Sequence, residues 1–305
     1  SLREDGATVR VLVPDTAPLH TTRAFLFSVD LEDVRAMIPN GERYAPRVAA
    51  NVERYLEVLD RHGARCTFFT VGEFARRQPE LVRAIAAAGH EVACHGADHV
   101  PLERLGPQGF RDDLRRALDA LEDAATLRVR GFRAPVMSLT PRTPWAHEAL
   151  AELGFVYSSS VVPAGSALYG WPDFPKRCQR TDAGVWEIPA SVLGGRGGVP
   201  FLSGVYFRLL PFAVVRAGFR RALDAGLPAV GYLHPYDVDT EQERFMHPEL
   251  GDSRVLNQLM YWGRGRVCRR LDRLFGEDAA VMPYRDYVAR VLEREPSEPL
   301  RVRSA

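Results

Sequence analysis

A series of short apolar runs, several ending in a residue able to do chemistry, constrains this chain most. Ala24-Phe25-Leu26-Phe27-Ser28-Val29-Asp30 is continuous and closes on an acid, the pattern of a strand buried on both faces. Cys66 to Val71, Glu91 to His95, Val129 to Phe132, Phe155 to Tyr157, Glu187 to Leu193 and Ala229 to His234 follow the same pattern. Between them lie helical segments. Residues 47–61 carry Val48, Val52, Leu56 and Leu59 at helical spacing and stop at Gly63, and residues 73–88 end at Gly89. Residues 107–124, 142–153 and 212–225 continue the alternation. Repeated strand–helix units with short connections predict a parallel sheet with helices outside, and reactive residues at the carboxyl ends of the strands. Asp30, His95, Arg133 and His234 fall at such ends.

The 305 residues and 46% hydrophobic content suffice for one large core. No internal linker divides the chain, so the reading is a single domain over 1–305. Its core is placed at about 24–236 and a C-terminal helical extension at about 237–305, with helices at 253–275 and 284–294. Residues 1–22 read as an arm or covering strand and Arg301 to Ala305 as a frayed tail. A net charge of +1 with both signs interspersed argues against a nucleic-acid partner. Cys66, Cys94, Cys178 and Cys268 form no CxxC pair and read as reduced thiols. With no signal-peptide pattern and no membrane-spanning apolar run, a cytoplasmic location is expected. The cluster Gly194-Gly195-Arg196-Gly197-Gly198 lacks phosphate-loop spacing and reads as a flexible loop.

His95 and His99 are four residues apart, a spacing that on a helix brings both imidazoles to one ion. Asp30, Glu32 and Asp33 crowd the tip of the first strand, where a cation relieves their repulsion. One acid completing a His, His, carboxylate set leaves an open metal position, and another remains free as a general base. Arg133, followed by Ala134-Pro135, can hold that base ionised through paired hydrogen bonds. His234 before Pro235 is either a general acid or a hydrogen-bonded core histidine. His20, His62, His90 and His147 receive no role, and Met246-His247-Pro248 is expected to border the cleft at most.

Taken together, Ser28-Val29-Asp30, Cys66 to Gly72, Ala88 to Val92, His95-Gly96-Ala97-Asp98-His99, Arg133-Ala134-Pro135 and Leu233-His234-Pro235 resemble the polysaccharide deacetylase family. This is carbohydrate esterase family four, with the nodulation-type deacetylase homology domain. Ser203 to Pro211, Tyr232 to Asp239 and the C-terminal helices are similar to its subfamily associated with exosortase and exopolysaccharide loci. The resemblance implies an α/β fold, a distorted (β/α)7-type barrel, and a divalent metal, usually zinc. It implies hydrolysis of an N-acetyl group on an amino sugar of a polysaccharide or its precursor. By position, Asp30 becomes the general base, His95 and His99 the metal ligands, Arg133 the residue orienting the base, and His234 the general acid. Pro135, Tyr206, Arg208 and Tyr236 become substrate contacts.

Two departures stand out. The family pattern has adjacent aspartates, whereas Leu31 follows Asp30, so the carboxylate ligand is Glu32 or Asp33. Strand alternation favours Glu32; a turn after Leu31 favours Asp33. Close relatives tend to carry an aspartate where this chain has Ser158, which leaves the tuning of His234 open. Two competing readings are an allantoinase-like hydrolase of a small amide or imide and a catalytically silent carbohydrate-binding protein. An open groove lined by Tyr169, Trp171, Tyr206 and Trp262 would favour a glycan.

Overall fold

Alternation in the first strand sets the architecture. In the computed structural model, which describes residues 23–165, 169–248, 250 and 253–293, β1 (Ala24–Leu31) is buried along its whole length. Phe25, Phe27, Val29 and Leu31 join the large core under the helices, while Ala24 and Leu26 join a second cluster inside the sheet's curl. Burying each such phenylalanine contributes about 1.5–3 kcal/mol. Ser28 and Asp30 share the inner face with Leu26.

The strands are β1, β2 (Thr67–Thr70), β3 (Glu91–Cys94), β4 (Gly131–Phe132), β5 (Tyr157–Ser158), β6 (Gln179–Arg180), β7 (Trp186–Glu187), β8 (Ala229–Leu233) and β9 (Ala280–Val281). Their order is β6-β7-β5-β4-β3-β2-β1-β8, with β9 paired to the start of β1. All pairings are parallel except β6 with β7. The curl closes irregularly: Ser191 N donates to Val230 O at 3.1 Å, Val230 N donates back to Ser191 Oγ at 2.9 Å, and Ser203 bridges Tyr232. This is the distorted α/β barrel that the alternating pattern and the resemblance lead one to expect. The expected arm over 1–22 and the tail from Arg301 to Ala305 lie outside the described residues.

The helices are α1 (Val48–Arg61), α2 (Gly72–Arg77), α3 (Pro79–Ala87), α4 (Leu102–Ala125), α5 (Ala146–Glu152), α6 (Gly204–Leu209), α7 (Phe212–Asp224), α8 (Arg254–Tyr261), α9 (Val267–Phe275) and α10 (Tyr284–Tyr287). Three expected helices break where the backbone requires it. Segment 73–88 divides at Pro79, which opens α3 because its missing N–H suits a first turn. Segment 253–275 divides at Gly263, in left-handed conformation with φ 80°. Beyond Tyr287 the helix widens into a π-turn, Val288–Leu292.

The C-terminal segment is not an appendage. Tyr284, Tyr287, Val288, Val291 and Leu292 pack among Leu26, Phe69, Ala93, Tyr157 and Val230 and fill the barrel's lower interior. Tyr157 lies there because position 131 is glycine; a Cβ at Gly131 would fall 2.2 Å from the Tyr157 hydroxyl.

Candidate active site

Because Leu31 points outward, Asp30 and Glu32 both emerge on the inner face at the tip of β1. Glu32 Oε2 lies 2.8 Å from His99 Nε2 and 3.9 Å from His95 Nε2. One donor atom from each of Glu32, His95 and His99 lies within 4.8 Å of the others. His95 Nδ1 is 2.9 Å from the Arg133 carbonyl oxygen, which can only accept, so the proton sits on Nδ1 and the Nε2 lone pair faces Glu32. Burial pushes His95 down to about 4, keeping the ring neutral. Burial alone would raise Glu32, but His99, with His234 and His95 behind it, outweighs burial and holds Glu32 near 2. Glu32 Oε2 is buried and accepts no well-aligned hydrogen bond. A buried, ionised carboxylate oxygen beside two imidazoles is a donor set that suits a divalent cation of the zinc type.

His95 and His99 converge from a loop and not, as their spacing suggests, from a helix. Gly96 and His99 both have left-handed backbones, φ 75° and 56°, and α4 starts only at Leu102. That loop is held from α4, where Asp113 Oδ2 accepts from Ala97 N at 2.9 Å. Arg116 joins Asp113 to Asp98 through contacts of 3.1 and 2.6 Å. A side chain at Gly96 would meet Asp113 Oδ2 at 3.1 Å, so the turn requires glycine twice over, for φ and for space.

Asp30 faces the cluster with Oδ2, 3.9 Å from His95 Nε2, and offers Oδ1 to Arg133 Nη1 at 2.7 Å. Arg133 is fully buried, with the Phe69 ring 4.0 Å from its guanidinium carbon. Nη1 also donates to Ser28 Oγ, Nε to Ser159 O, and Nη2 to Ser159 Oγ and the Tyr284 hydroxyl. Burial opposes the charge, but Asp30 and the surrounding hydroxyls outweigh it and the guanidinium stays protonated.

His234 approaches from the end of β8. Its Nδ1 lies 3.1 Å from Asp237 Oδ2, which also accepts its backbone N–H at 2.8 Å. Arg208 Nε pairs with the other oxygen of Asp237 at 2.8 Å, both side chains fully buried. Burial lowers the imidazole, but Asp237, Glu32 and Asp30 outweigh it and lift His234 to about 9. Arg208, expected to touch substrate, is corrected: it has no exposed surface, and its guanidinium faces Asp237. The acid that the Ser158 departure seemed to remove is supplied three residues after the histidine. Pro235-Tyr236-Asp237 held the signal, since an acid at i+3 can cap a turn begun by His234.

Asp33 is drawn away from the cluster: its carboxylate accepts from Arg35 N at 3.1 Å, caps the next turn and pairs with the Arg35 guanidinium. Pro135 is buried behind Gly96. A cleft partly open to solvent runs from Glu32 past Asp33, Tyr44, Asn51, Tyr236 and Phe245. Tyr236 lies parallel to the His234 ring at 4.7 Å. Tyr206, Tyr169, Trp171 and Trp262 do not line this cleft, whose aromatic residues are Tyr44, Tyr236 and Phe245. Trp171 packs on the core, while Tyr206 and Trp262 are exposed. His247 stands edge-on to Tyr236 at 5.1 Å, behind the cleft wall.

Comparison with known proteins adds to this geometry. Residues 43–158 match the family model described as polysaccharide deacetylase, and residues 159–288 match a domain of unknown function, DUF3473. The chain is 34% identical over 139 residues to a chitooligosaccharide deacetylase of Bradyrhizobium sp. (strain ANU 289), 45% of this chain and 56% of the relative. It is 30% identical over 196 residues to a peptidoglycan deacetylase-like protein of Gibberella zeae, 54% of this chain and 56% of that one. The matched stretch thus spans little more than half the length of these relatives. A crystal structure from Mycobacterium smegmatis, assigned as a polysaccharide deacetylase, superposes with a TM-score of 0.63 at 22% identity. That match covers 97% of this chain and 99% of the other, and it shows the shared fold.

Proposed function

Since the chain belongs to the polysaccharide deacetylase family, carbohydrate esterase family four, we infer that it is a metal-dependent hydrolase removing an N-acetyl group from an amino sugar. The observation that carries this reading is the convergence of Glu32, His95 and His99 beside Asp30. These three residues would hold a divalent cation, zinc by the donor set. When bound, it supplies Lewis-acid polarisation of an acetamide carbonyl and acidifies a water. Asp33, committed to Arg35, stays outside the set.

The remaining steps belong to the chain's own groups. Asp30, fixed by Arg133, takes a proton from the attacking water on its Oδ2, the oxygen turned towards the cluster. His234, kept protonated by Asp237, gives a proton to the departing amine nitrogen. A carboxylate held by Arg133 thus stands across the site from an imidazole kept charged by Asp237. Tyr236, stacked on His234 at the cleft's edge, is placed to hold the sugar ring. The open cleft suits a glycan better than a small imide, and the exopolysaccharide-associated resemblance supports a polymer or its precursor as the carrier.

The test is acetate release from N-acetylated chitooligosaccharides, with metal content measured on the same sample. The expected result is about one divalent ion per chain, with activity abolished by chelation and restored by zinc. A metal-replete chain that releases no acetate from any N-acetylated glycan or precursor overturns the reading.

A further inference from the structure

We propose that Tyr284, far along the chain and in the segment matching the domain of unknown function, is a positioning residue for the catalytic pair Arg133–Asp30. The proposal rests on the deacetylase reading and extends it to a residue outside the cleft.

A guanidinium has five N–H groups, and Arg133 uses all of them in a site with no exposed surface. Nε donates to Ser159 O at 2.9 Å, and Nη1 to Ser28 Oγ at 2.8 Å and Asp30 Oδ1 at 2.7 Å. Nη2 donates to Ser159 Oγ at 3.0 Å and to the Tyr284 hydroxyl at 3.0 Å. Four acceptors come from the sheet's own strands or their exits. The fifth comes from the C-terminal segment. Without it, one N–H of a dry, charged fork has no acceptor, and the fork can swing off Asp30 to find one.

Tyr284 is itself fixed on every side, which is what a positioning role needs. Its ring stacks on Tyr157 at 5.7 Å and meets Phe69 edge-on at 5.3 Å. Its backbone N–H donates to Thr67 Oγ1 at 3.0 Å, and the next one, of Arg285, donates to Glu91 Oε2 at 3.0 Å. Glu91 is buried and also accepts from Thr67 Oγ1 at 2.6 Å and from the Tyr157 hydroxyl at 2.9 Å. The start of α10 is thereby seated on a carboxylate at the barrel floor, and the hydroxyl above it is aimed at Arg133. Floor and base are joined by one run of contacts: Glu91, Arg285 and Tyr284 on one side, Arg133 and Asp30 on the other.

Tyr284→Phe keeps the ring and its stacking and removes only the acceptor. The expected result is a kcat lower by about 10-fold from misorientation of the base, with KM within about twofold and the metal content unchanged. Ser28→Ala removes a different acceptor from the same guanidinium and is expected to give the same kcat-only loss. In an Arg133→Lys background, where the fork is gone, Tyr284→Phe is expected to add no further loss in kcat. A role in packing alone would instead multiply the two losses and lower Tm in both backgrounds. Wild-type kcat in both Tyr284→Phe and Ser28→Ala overturns the assignment of Tyr284 while leaving the deacetylase reading intact. A metal-replete wild type without acetate release overturns both.

Discussion

Glu32 and Arg133 are both buried charges at the mouth of one barrel, yet their surroundings differ in kind. Every N–H of Arg133 has an acceptor and its charge has Asp30. Glu32 Oε2, by contrast, is buried outside any well-aligned hydrogen bond, and its neighbours are the imidazole nitrogens of His99 at 2.8 Å and His95 at 3.9 Å. A dry ionised oxygen is costly unless something positive meets it. The contrast separates what the chain completes by itself from what it leaves for a ligand. Asp30 and its arginine form a finished unit, and the Glu32 cluster is, on the proposed function, a receptor.

The largest effect should come from breaking the receptor side. Glu32→Ala or His95→Ala should take metal content from one ion to near none and cut acetate release by about 10³-fold. Retention of both metal and activity would remove Glu32 and His95 as ligands. Asp30→Asn breaks the finished side, with a loss of about 10²–10⁴-fold and metal content unchanged. If metal were lost instead, Asp30 would belong to the receptor.

Asp237→Asn acts on the acid. Removing the carboxylate lowers the value of His234, so the imidazolium is lost earlier as pH rises and the alkaline limb of kcat moves to lower pH. About a 10-fold loss at pH 8 is expected. In metal-free protein the raised value near 9 stabilises the fold fully below 6.5, and that stability fades as pH climbs from 6.5 through 9. Denaturant titrations across that window should show the slope in wild type and a weaker one in the variant. The smallest effect belongs to Asp33→Ala: the lost cap costs about 1 kcal/mol, while metal content and kcat stay within about threefold. Loss of metal in Asp33→Ala would hand the ligand role from Glu32 to Asp33.

Much of this site was legible because it obeys local periodicity. Two-residue alternation along β1 carries Asp30 and Glu32 to one face, and apolar runs mark the strands that end in His95, Arg133 and His234. What escaped was set by tertiary contacts. The histidine pair converges through left-handed residues that no helical spacing describes. Asp237 reads locally as a turn acid; its partnership with Arg208 bridges separate elements. Arg208 was assigned to the cleft by resemblance alone, and its own segment gives no hint of full burial. Tyr284 stands 151 residues from Arg133, and nothing in its own neighbourhood announces an acceptor.

The barrel floor has a consequence for the order of events during synthesis. Thr67 meets Tyr284 across 217 residues, and the pocket around Arg133 is sealed by the same tyrosine. Contacts of such long range form late, since the entropy of closing a long loop must be met before they return anything. A ribosome-bound chain that has already emitted both histidines and the acid of the cation cluster still lacks the cover over its arginine. Glu32, His95 and His99 are thus synthesised long before the hydroxyl that completes the acceptors of Arg133.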